Sequence, residues 1–163
     1  GESQGIRRKK VYGAAHEGAA WQHSTEYHVM WRVAFEPGEV KVVARKDGKQ
    51  VGEQTIRTAG APHHIVLKKT YQGTLAFGTS DPTTFVEVQV VDKDGNLCPN
   101  ADNQIFFSSD AKILGTDNGC QTSLERFTDP HRKAFFGKCV VVLKGKGTLT
   151  AKAVDLQQAQ IQL

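Results

Sequence analysis

The chain reads as all-β, a tandem of two β-sandwich modules, and three observations predict this. Strand-like alternation recurs along its length. In the clearest run Val86, Val88 and Val90 share one face while Glu87 and Gln89 take the other. Sixteen glycines and five prolines in 163 residues supply turn chemistry between such runs. No segment carries apolar residues at spacings of three and four over the length of a helix. Strands separated by turn signals at short, regular intervals are the pattern of a sandwich.

Taken in order, Gly1 to Tyr12 opens with a glycine-bounded turn and a basic strand, and Tyr12 to Glu26 reads as a long loop containing Trp21. Tyr27, Val29, Trp31, Val33 and Phe35 then line one face of a strand. Glu36-Pro37-Gly38-Glu39 has the proline and glycine of a type II turn. Val40 to Lys46, the Asp47-Gly48 hairpin turn and Val51 to Thr58 complete an expected three-stranded meander. Ala59-Gly60-Ala61-Pro62 is small, uncharged and extended by its proline, and marks the boundary between modules 1–60 and 61–163.

The second module is expected to begin with a strand from His63 to Lys69. Its centre runs from Phe85 to Phe107: a strand, a turn at Asp94-Gly95-Asn96, a loop holding Pro99, and a new alternation through Ile105 and Phe107. A short strand at Lys112 to Gly115 and a polar excursion from Thr116 to Pro130 come next. Strands are predicted at Arg132 to Phe136, at Gly137 to Lys144, and around Leu149-Ala151-Ala153 and Ala159-Ile161-Leu163.

Composition excludes several classes. The net charge of +4 is modest, and its surplus lies mainly in Arg7, Arg8, Lys9 and Lys10. Those four bases suit a charge-protected strand end better than a phosphate track, so no nucleic acid is expected as a partner. No stretch approaches the roughly 20 apolar residues that cross a bilayer, so no membrane partner is expected either. No signal peptide or initiator methionine opens the chain, and the expectation is an internal piece of a longer protein. Three cysteines are an odd number; Cys139 reads as a small buried hydrophobe, Cys98 and Cys120 lie in loops that could meet, and free thiols are expected.

Candidate chemistry is sparse. Asp92-Lys93-Asp94-Gly95-Asn96 invites a calcium reading, but its glycine is fourth and no glutamate stands twelfth, so a plain turn is favoured. The six histidines lack metal-ligand spacing, and the adjacent His63 and His64 should point apart on a strand. Neither a metal nor a cofactor is expected, and nothing places a nucleophile on a strained elbow near Asp129-Pro130-His131. Trp21 is the candidate for stacking on a sugar ring, ahead of Tyr27, Trp31 and Tyr71. In the polar stretch from Asp117 to Arg132, Asp117, Glu125, Phe127, His131 and Arg132 are candidate interface residues. Both charge signs stand there around one aromatic, which suits an internal ion-pair network or a contact with another domain.

Several stretches carry a family likeness. Gly1-Glu2-Ser3-Gln4-Gly5 with the basic run, Tyr27 to Val33, Glu36-Pro37-Gly38 and Lys46-Asp47-Gly48 resemble an accessory β domain of bacterial family 2 glycoside hydrolases of the β-galactosidase type. Val88 to Ala101, Asp117-Asn118-Gly119, Thr122-Ser123, Glu125, Phe127 and Arg132-Lys133-Ala134-Phe135 resemble that family's immunoglobulin-like C-terminal domain. Phe136 stands where asparagine is common, and Cys98 replaces an aliphatic residue. The resemblance implies two immunoglobulin-like sandwich modules, the first incomplete, in the non-catalytic tail of a retaining β-galactosidase. It further implies packing on the catalytic region of the same polypeptide, a homo-oligomeric parent, and a periplasmic or cell-surface location in a saccharolytic bacterium. The family's chemistry needs two carboxylates on a barrel of roughly 250 residues, and no such alternation of strand and helix occurs here. A carbohydrate-binding module and an adhesin-type repeat are the alternatives.

Overall fold

The structure, a computed structural model, describes residues 21–24, 29–32, 35–74 and 81–163, and none of these is helical. Two compact units divide the chain, one spanning Gly1–Thr58 and the other Ala59–Leu163. In the first, β1 (Trp21–Ser24) pairs antiparallel with β2 (Val29–Arg32), and β3 (Glu39–Lys46) with β4 (Lys49–Arg57). These are two separate two-stranded sheets, so the expected meander does not form among the described residues. Trp21 is likewise in a strand rather than a loop. Its stretch finds a partner in the residues after 28, a pairing that local turn signals do not reveal. The predicted basic strand at 1–12, most of the 12–26 loop and part of the 27–35 strand lie outside the described residues.

The β3–β4 hairpin follows its sequence closely. Asp47 and Gly48 both have positive φ, 49° and 78°, as a type I′ turn requires. Register places Val40 opposite Ile56 and Val42 opposite Gln54 on one face. On the other face Lys41 pairs with Glu53 at 2.6 Å and Arg57 with Glu39 at 2.8 Å. These exposed pairs contribute little stability individually.

The second unit holds β5 (His64–Gly73), β6 (Thr83–Val91), β7 (Gln104–Ser109), β8 (Lys112–Asp117), β9 (His131–Lys133), β10 (Lys138–Lys144), β11 (Thr148–Lys152) and β12 (Ala159–Gln162). They form two four-stranded sheets, β5-β6-β10-β8 and β12-β11-β7-β9, with antiparallel neighbours. Seven of the strands follow the A-B-E-D and G-F-C orders of an immunoglobulin sandwich. The eighth, β9, adds an edge beside β7.

Alternation decides which side chains meet between the sheets. Ile65, Val86, Val88, Val90, Cys139, Val141 and Leu143 come from one sheet, and Ile105, Phe107, Leu149 and Ala151 from the other, in one buried cluster. Burying each large aliphatic side chain here contributes about 1.5–3 kcal/mol. All three thiols are free. Cys98 and Cys139 are buried, and burial pushes the Cys139 thiol up to about 12.

A buried carboxylate ties the start of this unit to its first turn. Asp92 accepts hydrogen bonds from the backbone N–H of Gly60 (2.8 Å), Asp94 (2.9 Å) and Asn96 (2.8 Å), and from the Asn96 side-chain amide (3.0 Å). The carboxylate thus faces N–H donors, the arrangement of a capped turn rather than of a calcium ligand. The Gly60 N–H and the Asn96 amide are foremost in lowering its pKa, burial opposes them, and the net result is about 2. The stretch Ala59-Gly60-Ala61-Pro62 is therefore anchored to the second unit at Gly60 rather than being a free linker.

The adjacent histidines depart from expectation as well. His63 Nδ1 lies 3.1 Å from His64 Nδ1. Strand alternation begins only at His64, so His63 is not bound to the opposite face.

Two measurements check this description. Phe107→Ala removes a ring from the shared core, and urea unfolding should show a loss of about 3–5 kcal/mol. Because folding lowers the Asp92 pKa, the stability it supplies is complete above the unfolded carboxylate value of roughly 3.9 and is lost as pH falls toward about 2. Acid titration of Asp92→Asn should accordingly show a shallower decline of stability across that window than the unaltered chain.

Candidate interface on the loop between β8 and β9

Residues 118–130 run between β8 and β9 without regular structure, so their buried carbonyls need donors from elsewhere. Arg132 supplies them. It lies in β9 with its side chain 1% exposed. Its Nη2 donates to the carbonyls of Thr116 (2.7 Å) and Arg126 (2.9 Å), its Nη1 to that of Glu125 (3.2 Å), and its Nε to the Thr116 hydroxyl (3.3 Å). The guanidinium carbon also sits 5.4 Å from the centre of the Phe127 ring, a cation–π distance. One side chain thereby joins the edge of one sheet, the edge of the other and the loop between them.

Glu125 completes the network. Its Oε2 lies 3.7 Å from Arg132 Nη1, and both carboxylate oxygens accept from the Lys133 backbone N–H, at 3.1 and 3.2 Å. Gln104 on β7 donates to Glu125 Oε1 at 2.9 Å and lies 3.0 Å from His131 Nδ1. Burial raises the Glu125 pKa, but the Gln104 and Lys133 hydrogen bonds and the Arg132 charge outweigh it and hold the carboxyl below its usual range.

Of the residues singled out in the sequence, Glu125, Phe127, His131 and Arg132 are brought together. Asp117 is not part of the group; its carboxylate caps the start of the loop by accepting from the N–H of Asn118 (2.7 Å) and Gly119 (3.1 Å). Phe127 is 65% exposed, so it covers the guanidinium from outside rather than anchoring in the core. Trp21 lies in the other unit, where only the backbone of β1 is described. Tyr71 packs edge-on against Phe85 at 5.8 Å. Thr116 and Gln104 also belong to the network, and nothing local marks them, because their roles depend on strands far away in sequence. No group of three or more metal-ligating side chains occurs among the described residues.

The arrangement is a structural clamp under an exposed loop, set on the edge of a sandwich. The chain belongs to the glycoside hydrolase family 2 C-terminal domain 5 family, whose model matches residues 68–162. It is thus a C-terminal accessory region of that enzyme family rather than a catalytic part. Residues 1–52 match a domain of unknown function, DUF4982. The whole chain is 43% identical to a part of the β-galactosidase BoGH2A of Bacteroides ovatus, covering 18% of that protein. Among solved structures, a β-glycosidase from Bacteroides vulgatus matches with a TM-score of 0.74 and 31% identity over 83% of this chain and 18% of its own. A family 2 glycosyl hydrolase from Bacteroides cellulosilyticus matches with a TM-score of 0.71 and 26% identity, over 83% and 19%. The chain therefore spans less than a fifth of the length of these relatives.

The clamp predicts an ordering of two substitutions in the 163-residue chain. Arg132→Met removes the donor to one buried and two part-buried carbonyls and should cost about 3–5 kcal/mol. Glu125→Ala leaves Arg132 its carbonyl acceptors and should cost less, about 1–3 kcal/mol. Urea denaturation of both variants measures the difference.

Proposed function

We propose that this chain serves a longer polypeptide, a family 2 glycoside hydrolase acting on terminal β-galactosides or related glycosides, by packing on its catalytic region. The observation that carries the reading is the match of the whole chain, at 43% identity, to part of a β-galactosidase. Retaining hydrolysis needs two carboxylates about 5–5.5 Å apart. In the second unit four of the acids have other engagements. Asp92 caps a turn, Glu125 holds the loop, Asp102 pairs with Lys133 and Glu87 with Lys138.

The loop over Arg132 suits a packing role. Its network holds the backbone rigid from beneath, while Leu124 and Phe127 present apolar surface outward. A periplasmic or cell-surface setting for the parent enzyme is part of the same proposal. A homo-oligomeric parent, with this region aiding assembly, belongs to the same proposal.

Deletion tests the reading. Removing residues 59–163 from the full-length polypeptide that carries this sequence should lower both its melting temperature and its turnover of a nitrophenyl β-galactoside. The 163-residue chain alone should turn over none. Unchanged melting and turnover in the deletion variant would overturn the proposal. So would turnover by the isolated chain that a single carboxylate substitution abolishes.

A further inference from the structure

The turn leading into β10 carries two adjacent aromatics and holds the second, Phe136, in an unfavourable backbone conformation. The Phe135 N–H donates to the Lys138 carbonyl at 2.8 Å and the Lys138 N–H to the Phe135 carbonyl at 3.0 Å, closing a two-residue turn on Phe136 and Gly137. Both turn residues have positive φ, 49° and 74°. This is the sign pattern of a type I′ turn, where asparagine or aspartate before glycine fits and a bulky side chain is sterically disfavoured.

The conformation is imposed from the unit's interior. The Gly137 N–H donates to the Ala101 carbonyl at 3.0 Å, and the Gly137 carbonyl accepts from the Val90 N–H at 2.8 Å. A Cβ on Gly137 would stand 2.3 Å from the Cys98 carbonyl oxygen, so the backbone lies directly on its neighbour. Phe136 gains little burial from this strain. Its side chain is 64% exposed, and its ring lies 4.4 Å from that of Phe135, itself 38% exposed. Folding of the unit does not account for a strained aromatic left in solvent.

The charges beside the pair are compensated within the unit, Lys133 by Asp102 at 2.7 Å and Lys138 by Glu87 at 3.3 Å. An apolar centre with a neutralised charged rim has the anatomy of an interface whose partner is itself apolar.

We infer that Phe135 and Phe136 form a docking anchor that inserts into an apolar groove on the catalytic region of the parent polypeptide. The inference rests on the accessory reading above. The occupant is a tethered one, because this chain corresponds to only 18% of the length of BoGH2A and the remaining polypeptide is covalently linked to it there. Tethering gives a high effective concentration, so two rings suffice. A free partner or a second copy would need a standard-sized interface.

The test uses Phe136→Trp and Phe136→Asn, each in the 163-residue chain and in the full-length polypeptide. The indole that Phe136→Trp introduces should be readily quenched by acrylamide in the chain, and several-fold less quenched, with blue-shifted emission, in the full-length protein. Phe136→Asn relieves the turn, so the chain's melting temperature should hold or rise by a few degrees. The same substitution should lower that of the full-length protein, where a central aromatic contact is lost. Equal quenching of the introduced indole in both forms, or a chain destabilised by asparagine with no effect specific to the full-length protein, overturns the anchor. Either result leaves the accessory reading standing, since that reading falls only on the deletion experiment.

Discussion

One buried guanidinium holds the second unit's long loop to its sandwich. A loop packed against sheet edges brings carbonyls out of water without ladder partners, and each such group must find a donor. Arg132 answers with a planar fork that reaches one carbonyl on β8 and two in the loop. A lysine would offer a compact, strongly hydrated charge in place of that geometry. Glu125 balances the charge, and Phe127 closes the site from solvent. Neutral carbonyls and a carboxylate share the cation between them, so its desolvation is offset at several points rather than by a single ion pair.

The same device recurs at other margins of the unit. Asp92 gathers N–H groups from Gly60 and from its own turn, and Asp117 caps the start of the long loop. The apolar faces of the strands supply the cohesion between sheets, while these polar caps determine where the chain enters, turns and leaves. Where a turn instead carries Phe136, the backbone geometry is kept but the residue is the wrong one for local stability. That contrast separates it from the other turns and directs attention outward, to a neighbour.

An accessory region of this construction suits a role in support of catalysis elsewhere. Asp92, Asp117 and Glu125 are committed to turns and the loop clamp, Glu87 and Asp102 to lysine pairs, and the exposed Phe127 and Phe136 lie on a loop and a turn. Rigid apolar surface at low conformational cost is what packing against another domain of the same polypeptide requires.

Much of the architecture is local, and so was legible in the residues alone. The alternation at Val86, Val88 and Val90, at Ile105 and Phe107, and at Ile161 shows which residues face inward, because side chains on a strand alternate whatever the partner. Asp47-Gly48 announces its own turn for the same reason: the steric preference lies within the residues themselves. The candidate residues Glu125, Phe127, His131 and Arg132 were legible as a mixed-charge loop. That Arg132 is wholly buried was not, since its acceptors are carbonyls on β8 and across the loop and charge in a loop ordinarily reads as solvated. Pairing escaped local reading too. Turn signals place Trp21 in a loop although it lies in β1, and they join β2 to a meander that the described residues do not form. Strand alternation would turn His63 away from His64, but the strand starts one residue later. These points were left to the folded chain, because each depends on which distant backbone groups remain unpaired after the strands have found their neighbours.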